Sequence, residues 1–298
     1  MPPEVPAPVD VIERARRLGP LPWSSLGRRP APNLPAAEEL ALWTAAVLDE
    51  IWYIESHPDP FTYVEVGAGD GRRARDLLGL GPECLDALRI VLVDDDPAFR
   101  ERQAEQLSVE APELTLGPVA ASDDPDEGSR PVPGIGPLVT SLTDLPVLAS
   151  ASVAVVAAYG WLSRQPSDRY VWKDGVWWEI RLGVVPPAED VLTELALPLA
   201  PDRAQTIDDI AGRRFDGARY SVPVGALAWL RSALGTADNG WLLGVDRWTL
   251  RNEPIAATGV AGEDPPPVPL DQLAIVRRPV DGPTAAPGSL EVVRWRLG

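Results

Sequence analysis

One feature limits what this chain can fold into more than any other. The run FTYVEV (Phe61–Val66) leads directly into Gly67-Ala68-Gly69-Asp70-Gly71, and that turn leads directly into the helix-patterned Arg72–Leu78. Short runs dominated by β-branched and aromatic residues read as buried strands. Glycines at three alternate positions let the chain reverse tightly and bring its backbone against a ligand that side chains would hold off. A strand, a glycine turn and a helix in that order open a βαβ unit.

The remainder of the chain continues the rhythm. RIVLVD (Arg89–Asp94) reads as a second strand, followed by a helix from Pro97 to Leu107 with Asp96 placed as its N-cap. PLVTSL (Pro137–Leu142) reads as a third strand, SVAVVAAY (Ser152–Tyr159) as a fourth and GWLLGVD (Gly240–Asp246) as a fifth. Strands recurring behind helices imply right-handed crossovers and a parallel sheet covered on both faces. Ahead of the first strand, Leu40, Trp43, Val47, Ile51 and Ile54 recur at helical spacing, and His57-Pro58-Asp59-Pro60 ends that helix. Val224–Leu234 reads as a further helix, and LAIVRR (Leu273–Arg278) with LEVVRWRL (Leu290–Leu297) as an antiparallel closing pair.

Two stretches break the pattern. Residues 1–35 are Pro-rich and read as a partly helical arm. Between Arg169 and Leu182, Asp174-Gly175 separates two alternating aromatic and β-branched runs, a strong hairpin signal. Val176, Trp178, Ile180 and Leu182 would share one face, with Trp177, Glu179 and Arg181 on the other. The expected architecture is therefore α/β: residues 36–298 form one domain with a mostly parallel seven-stranded sheet and helices on both faces. An inserted lobe at about 160–222 carries the hairpin as a cover. Ser122–Gly136 reads as an acidic loop.

Composition narrows the partners. A formal net charge of −17 with scattered Lys and Arg argues against a nucleic-acid backbone as ligand. No run approaches the roughly 20 apolar residues of a membrane span, and the first residues lack a secretory pattern, so a cytoplasmic location is expected. One cysteine, Cys84, excludes an internal disulfide and a cysteine-built metal site, and no metal is expected. It reads as a small buried side chain. The only histidine, His57, lies in a Pro-flanked loop and reads as structural.

The chemistry is concentrated at the glycine turn. Its spacing departs from the dinucleotide fingerprint, whose third glycine comes three residues after the second; here Gly71 follows Gly69 by two. Glu65, two residues before the first glycine, suits the zwitterionic amino-acid end of S-adenosylmethionine, whereas it would repel a pyrophosphate. Asp94, at the end of the second strand, can accept hydrogen bonds from ribose hydroxyls. The candidate cofactor set is Glu65, Gly67, Ala68, Gly69, Asp70, Gly71, Asp94, Asp95, Ser141 and Leu142.

DPFTYVEVGAGDGRRARDLL and ALRIVLVDDDPAFRERQ, with LVTSLTDLP and DRYVWKDGVWWEIRLG further on, resemble the MidA-type methyltransferases, the group that includes the mitochondrial complex I assembly arginine methyltransferase. The resemblance runs from about Leu40 to Asp246. It implies a class I, Rossmann-like methyltransferase fold with S-adenosylmethionine at the carboxyl ends of the first two strands. Glu65, Gly67, Gly69 and Gly71 would hold its amino-acid end and Asp94 its ribose. The family's Asn-Glu pair after the fourth strand is replaced here by Tyr159-Gly160, and Ser163 stands where an Asp is expected. The carboxyl end is also shorter than in typical members. A guanidinium acceptor needs a carboxylate to fix its plane, so these departures point away from arginine methylation. Tyr159 is the candidate catalytic residue, able to polarise an acceptor or simply to pack. Trp161, Trp172, Trp177 and Trp178 read mainly as packing. Two functions follow: a methyltransferase of altered acceptor, either a protein side chain or a small molecule, or a catalytically silent relative acting through cofactor or partner binding.

Overall fold

The computed structural model describes residues 4–28, 34–117, 132–149, 152–201, 203–205, 207, 215–222, 224–245, 276–279 and 290–296. In chain order these contain β1 (Glu4–Val5), α1 (Val9–Leu18), β2 (Leu21–Pro22), α2 (Ala37–Ile54), β3 (Phe61–Val66), α3 (Arg72–Leu80), β4 (Leu88–Val93), α4 (Pro97–Gln106), α5 (Pro112–Leu116), β5 (Leu138–Leu142) and β6 (Val153–Tyr159). There follow β7 (Asp168–Lys173), β8 (Val176–Val185), β9 (Ala188–Pro198), β10 (Arg219–Val222), α6 (Val224–Leu234), β11 (Asn239–Val245), β12 (Val276–Pro279) and β13 (Leu290–Arg296). The described residues fall into two compact units, one drawn from 33–161, 230–246 and 274–298, the other from 1–32 and 162–229. The acidic loop expected at 122–136 lies outside the described residues as far as 131, and so do residues 246–275.

The first unit is built on a sheet in the order β12-β13-β11-β6-β3-β4-β5. The five strands from β11 to β5 pair in parallel, and β13 and β12 are added antiparallel at one edge. Every residue of β3, β4 and β6 is buried, as central parallel strands require when neither face meets water. Alternate residues form one core with the inner faces of α2 and α3: Phe61 and Tyr63, Ile90 and Leu92, Val155 and Tyr159 meet Leu40, Leu48, Ile51 and Leu77. Each large apolar side chain buried in this way contributes about 1.5–3 kcal/mol. The same period of two places Glu65 and Tyr159 on the face that looks toward α2.

Sheet topology also marks a place. From β3 the chain steps outward to β4 and β5, then returns to lay β6 against the other side of β3. The order therefore reverses between β3 and β6, and in open α/β sheets the crevice for ligands lies at the carboxyl ends of strands at such a reversal.

Helix α2 stops where the proline-flanked loop was expected to stop it. Ser56 and His57 both take left-handed φ, 63° and 59°. His57 is exposed and sits between the rings of Trp52 and Tyr53, 4.3 and 4.6 Å away. Cys84 is buried, and burial pushes its thiol well above the ordinary range. Both residues fit structural roles.

In the second unit the sequence anticipated a hairpin, and the structure has a larger sheet. Asp174 and Gly175 take φ of 53° and 78°, the left-handed pair of a tight hairpin turn between β7 and β8. That hairpin lies within the order β1-β9-β8-β7-β10, with β2 pairing β8 at Leu182 and Arg181, next to the start of β7. Residues expected to be a surface arm thus supply two strands and helix α1 to this unit. The two faces alternate as expected, but neither is the open one. Ile180 and Leu182 pack with Val11, Ile12, Ala15 and Trp23, and Trp177 packs with Tyr170, Ile207 and Tyr220. Glu179, buried with Trp177, is balanced by Arg181 at 3.1 Å and Arg203 at 3.5 Å. Among the described residues, no helix is long and apolar enough to cross a membrane.

Candidate functional site

The carboxyl ends of β3, β4 and β6 bring most of the expected residues together. Gly67, Gly69 and Gly71 all have positive φ, at 63°, 59° and 83°. They are not equivalent. A Cβ on Gly67 would come within 2.6 Å of Trp161 Cε3, and one on Gly71 within 3.1 Å of Leu107 and 3.3 Å of Gln103. A Cβ on Gly69 would meet nothing within 4 Å. Gly67 and Gly71 therefore let protein pack against the turn, while Gly69 turns its bare face to open space.

The turn is held from β4. Val93 O accepts from Gly67 N at 2.9 Å and from Ala68 N at 3.3 Å. Asp94 accepts from Gly69 N at 2.9 Å through Oδ2 and from Asp96 N at 3.0 Å through Oδ1. Its own N–H donates to Leu142 O at 3.1 Å, and Arg100 donates to its carbonyl at 2.7 Å. Asp94 is buried, whereas Asp95 beside it is exposed. Asp96 caps α4, accepting from Ala98 N at 2.9 Å. Asp70 pairs instead with Arg72, at 2.9 Å.

Ser141 reaches the turn indirectly. Its hydroxyl donates to Gln103 Oε1 at 2.6 Å, and Gln103 Nε2 donates to Gly69 O at 2.7 Å. Gln103 was missed in the sequence, yet it left a trace. Phe99, Gln103 and Leu107 recur four residues apart, so the amide occupies an inward-facing position of α4. Being fully buried, it must be hydrogen-bonded, and its two bonds link Ser141 of β5 to the glycine turn.

At the end of β3 the structure adds a residue that the pattern did not single out. Glu65 is fully buried, and Arg73 of α3 meets its Oε1 at 2.6 Å through Nε and Nη2. Tyr63 donates to its Oε2 at 3.3 Å. Arg73 Nη2 also donates to Gly67 O at 3.1 Å, and its guanidinium lies 5.5 Å from the centre of the Tyr159 ring. Burial works to lower the pKa of Arg73, and the Glu65 carboxylate outweighs it, so the group is raised further. A cation in the first turn of a helix opposes the macrodipole. That conflict was the signal available in the sequence.

The end of β6 differs. Thr44 spends its only proton on Leu40 O at 2.7 Å, so in the short hydrogen bond between Thr44 and Tyr159 the tyrosine is the donor. Burial, and secondarily the charge of Glu65, raise the Tyr159 phenol to about 12. Its proton is committed inward. Gly160 follows, donating its N–H to Val245 O at 2.7 Å, and then the Trp161 ring lies on Gly67. The strand's end itself bears no carboxylate. Among the described residues, no group of three or more His, Cys, Asp or Glu is arranged to hold a metal.

Comparison with known proteins places the chain in a family and gives solved structures of similar fold. A model of the family described as "Putative S-adenosyl-L-methionine-dependent methyltransferase" matches residues 40–256. No curated protein matches the chain. Two crystal structures from Burkholderia thailandensis share its fold at 20% identity. One, a methyl transferase candidate bound to S-adenosyl-homocysteine, aligns over 82% of this chain and 65% of its own with a TM-score of 0.54. The other, a native structure of an uncharacterised protein of the same superfamily, aligns over 98% and 75% with a TM-score of 0.55. The chain thus spans a little less than two thirds of the first relative's length.

Proposed function

The chain belongs to this S-adenosylmethionine-dependent methyltransferase family, and on that premise we propose that it transfers a methyl group to an acceptor that needs no carboxylate to orient it. The cofactor of the family is S-adenosylmethionine. The observation that carries the proposal is the Asp94 carboxylate, fixed by two backbone N–H groups beside the open face of Gly69. A carboxylate has about four lone-pair directions. Two are occupied, and the remainder suit the two hydroxyls of a ribose. Gly69 admits the ligand because it has no side chain to exclude it, and Ala68, Ser141 and Leu142 complete the floor through the turn and its supports.

When bound, S-adenosylmethionine supplies a methyl group already activated on a sulfonium. The protein then has to align the acceptor and exclude water. Tyr159 supports neither acid nor base work, because its proton is donated to Thr44 and its pKa lies far above neutrality. An acceptor that is already nucleophilic, on a small molecule or an uncharged protein side chain, fits such an edge better than a guanidinium does. Within the family, the MidA-type motifs of the cofactor half support assignment to that branch, with the acceptor half diverged.

Calorimetry with S-adenosylmethionine and S-adenosyl-homocysteine tests the cofactor half, with binding of both expected. Failure of both to bind would remove the basis of the proposal. Transfer of labelled methyl groups to a lysate of the source organism tests the rest. Binding without transfer would favour the silent cofactor-binding relative.

A further inference from the structure

Resting on that reading, we infer that Arg73 docks the α-carboxylate at the amino-acid end of the cofactor, and that Glu65 serves to aim Arg73 and does not itself touch the ligand. Glu65 has no exposed surface, with Arg73 covering Oε1 and Tyr63 donating to Oε2. A carboxylate with no exposed surface is closed to an incoming ammonium group. Arg73 is different, because its side chain keeps 18% of its surface.

The guanidinium is held on three sides: by Glu65 through Nε and Nη2, by Gly67 O through Nη2, and by the face of Tyr159. Among the described residues Nη1 takes part in none of these bonds, and the side chain as a whole keeps exposed surface through which a ligand can reach the guanidinium. These elements meet where β3 and β6 end at the sheet reversal, and Gly67, whose carbonyl accepts from Arg73, lies two residues before Gly69. A guanidinium whose other edge is already fixed loses little freedom on binding, and Arg is suited to planar carboxylates. The Glu65–Arg73 pair is neutral as a unit, so it receives a zwitterion without leaving excess charge buried.

The test compares ligands that differ by one carboxylate. S-adenosyl-homocysteine, its decarboxylated analogue and 5′-methylthioadenosine are titrated into the full chain and into a Glu65→Gln/Arg73→Met variant. The double change removes both buried charges together, so neither is left uncompensated. The unmodified protein is expected to prefer S-adenosyl-homocysteine over the decarboxylated analogue by about tenfold or more, the scale of one charge-assisted pair. In the variant that preference should fall to within about twofold, while 5′-methylthioadenosine binds as before. Equal affinity of the unmodified protein for the first two ligands overturns the assignment of Arg73 and leaves the cofactor reading intact. So does a preference that survives in the folded variant. If the unmodified protein binds none of the three, both readings fall.

Discussion

The ends of β4 and β6 lie on the two sides of β3, and they use their polar groups in opposite ways. At the end of β4, Asp94 is buried but only half satisfied, its two oxygens each taking one backbone N–H and each keeping a direction free. At the end of β6, Tyr159 is buried and turned inward, with its proton given to Thr44. The first arrangement is prepared for a ligand, since its donors are backbone groups that cannot rotate away. The second belongs to the core. Fixed polar groups with unused capacity mark a binding surface, whereas a polar group that finds its partner inside contributes to stability.

This contrast can be broken most sharply at the glycines. Gly69→Val should reduce cofactor affinity by 100-fold or more with a stability cost of only about 1–2 kcal/mol, since its φ is strained but its surroundings are empty. Gly67→Val should do the reverse, costing about 2–4 kcal/mol because the new side chain meets Trp161 as well as a left-handed φ. Calorimetric titration with thermal melts reads both. A Gly69→Val protein that binds normally would mean that the ligand approaches elsewhere.

A smaller effect is expected at Tyr159→Phe. The change removes one hydrogen bond to Thr44, worth about 1 kcal/mol, and should leave the methyl-transfer rate within about threefold. A fall of 100-fold in kcat with cofactor affinity unchanged would restore Tyr159 as an acid or base.

The smallest effect near neutrality, and the broadest, concerns pH. Burial first of all raises Tyr63, Tyr159, Tyr170 and Tyr220, the latter to about 12 like Tyr159. A phenol with a folded pKa above its unfolded value of about 10 binds its proton more tightly when folded. Its contribution to stability is complete below about pH 10 and is lost as pH rises through the folded pKa, about 12 for Tyr159 and Tyr220. Absorbance at alkaline pH should therefore show four of the five tyrosines ionising late, together with unfolding. Early ionisation of all five would show that the phenol of β6 is open to solvent.

Much of this was legible in the residues. FTYVEV and the predominantly apolar runs of β4 and β6 read as interior parallel strands, and the glycine turn between a strand and a helix located the site. Asp96 was recognisable as a cap because its partner lies two residues on. Arg73 and Gln103 were harder, because their partners are eight and 34 residues away and nothing local says that a long polar side chain folds inward. The second sheet was read as a hairpin for a similar reason. The turn Asp174-Gly175 is local, but β1 and β2 pair across more than 150 residues with strands whose own pattern does not name them.

The sequence by itself determined the parallel sheet, the glycine turn and the cofactor class, because strand burial and tight turns are dictated by neighbours along the chain. Tertiary structure alone decided that Glu65 faces Arg73, that Tyr159 faces Thr44 and that Gly69 is the glycine left open. Those choices depend on which side chains meet across the end of a sheet, and each was settled by the need of a buried charge or hydroxyl for a partner.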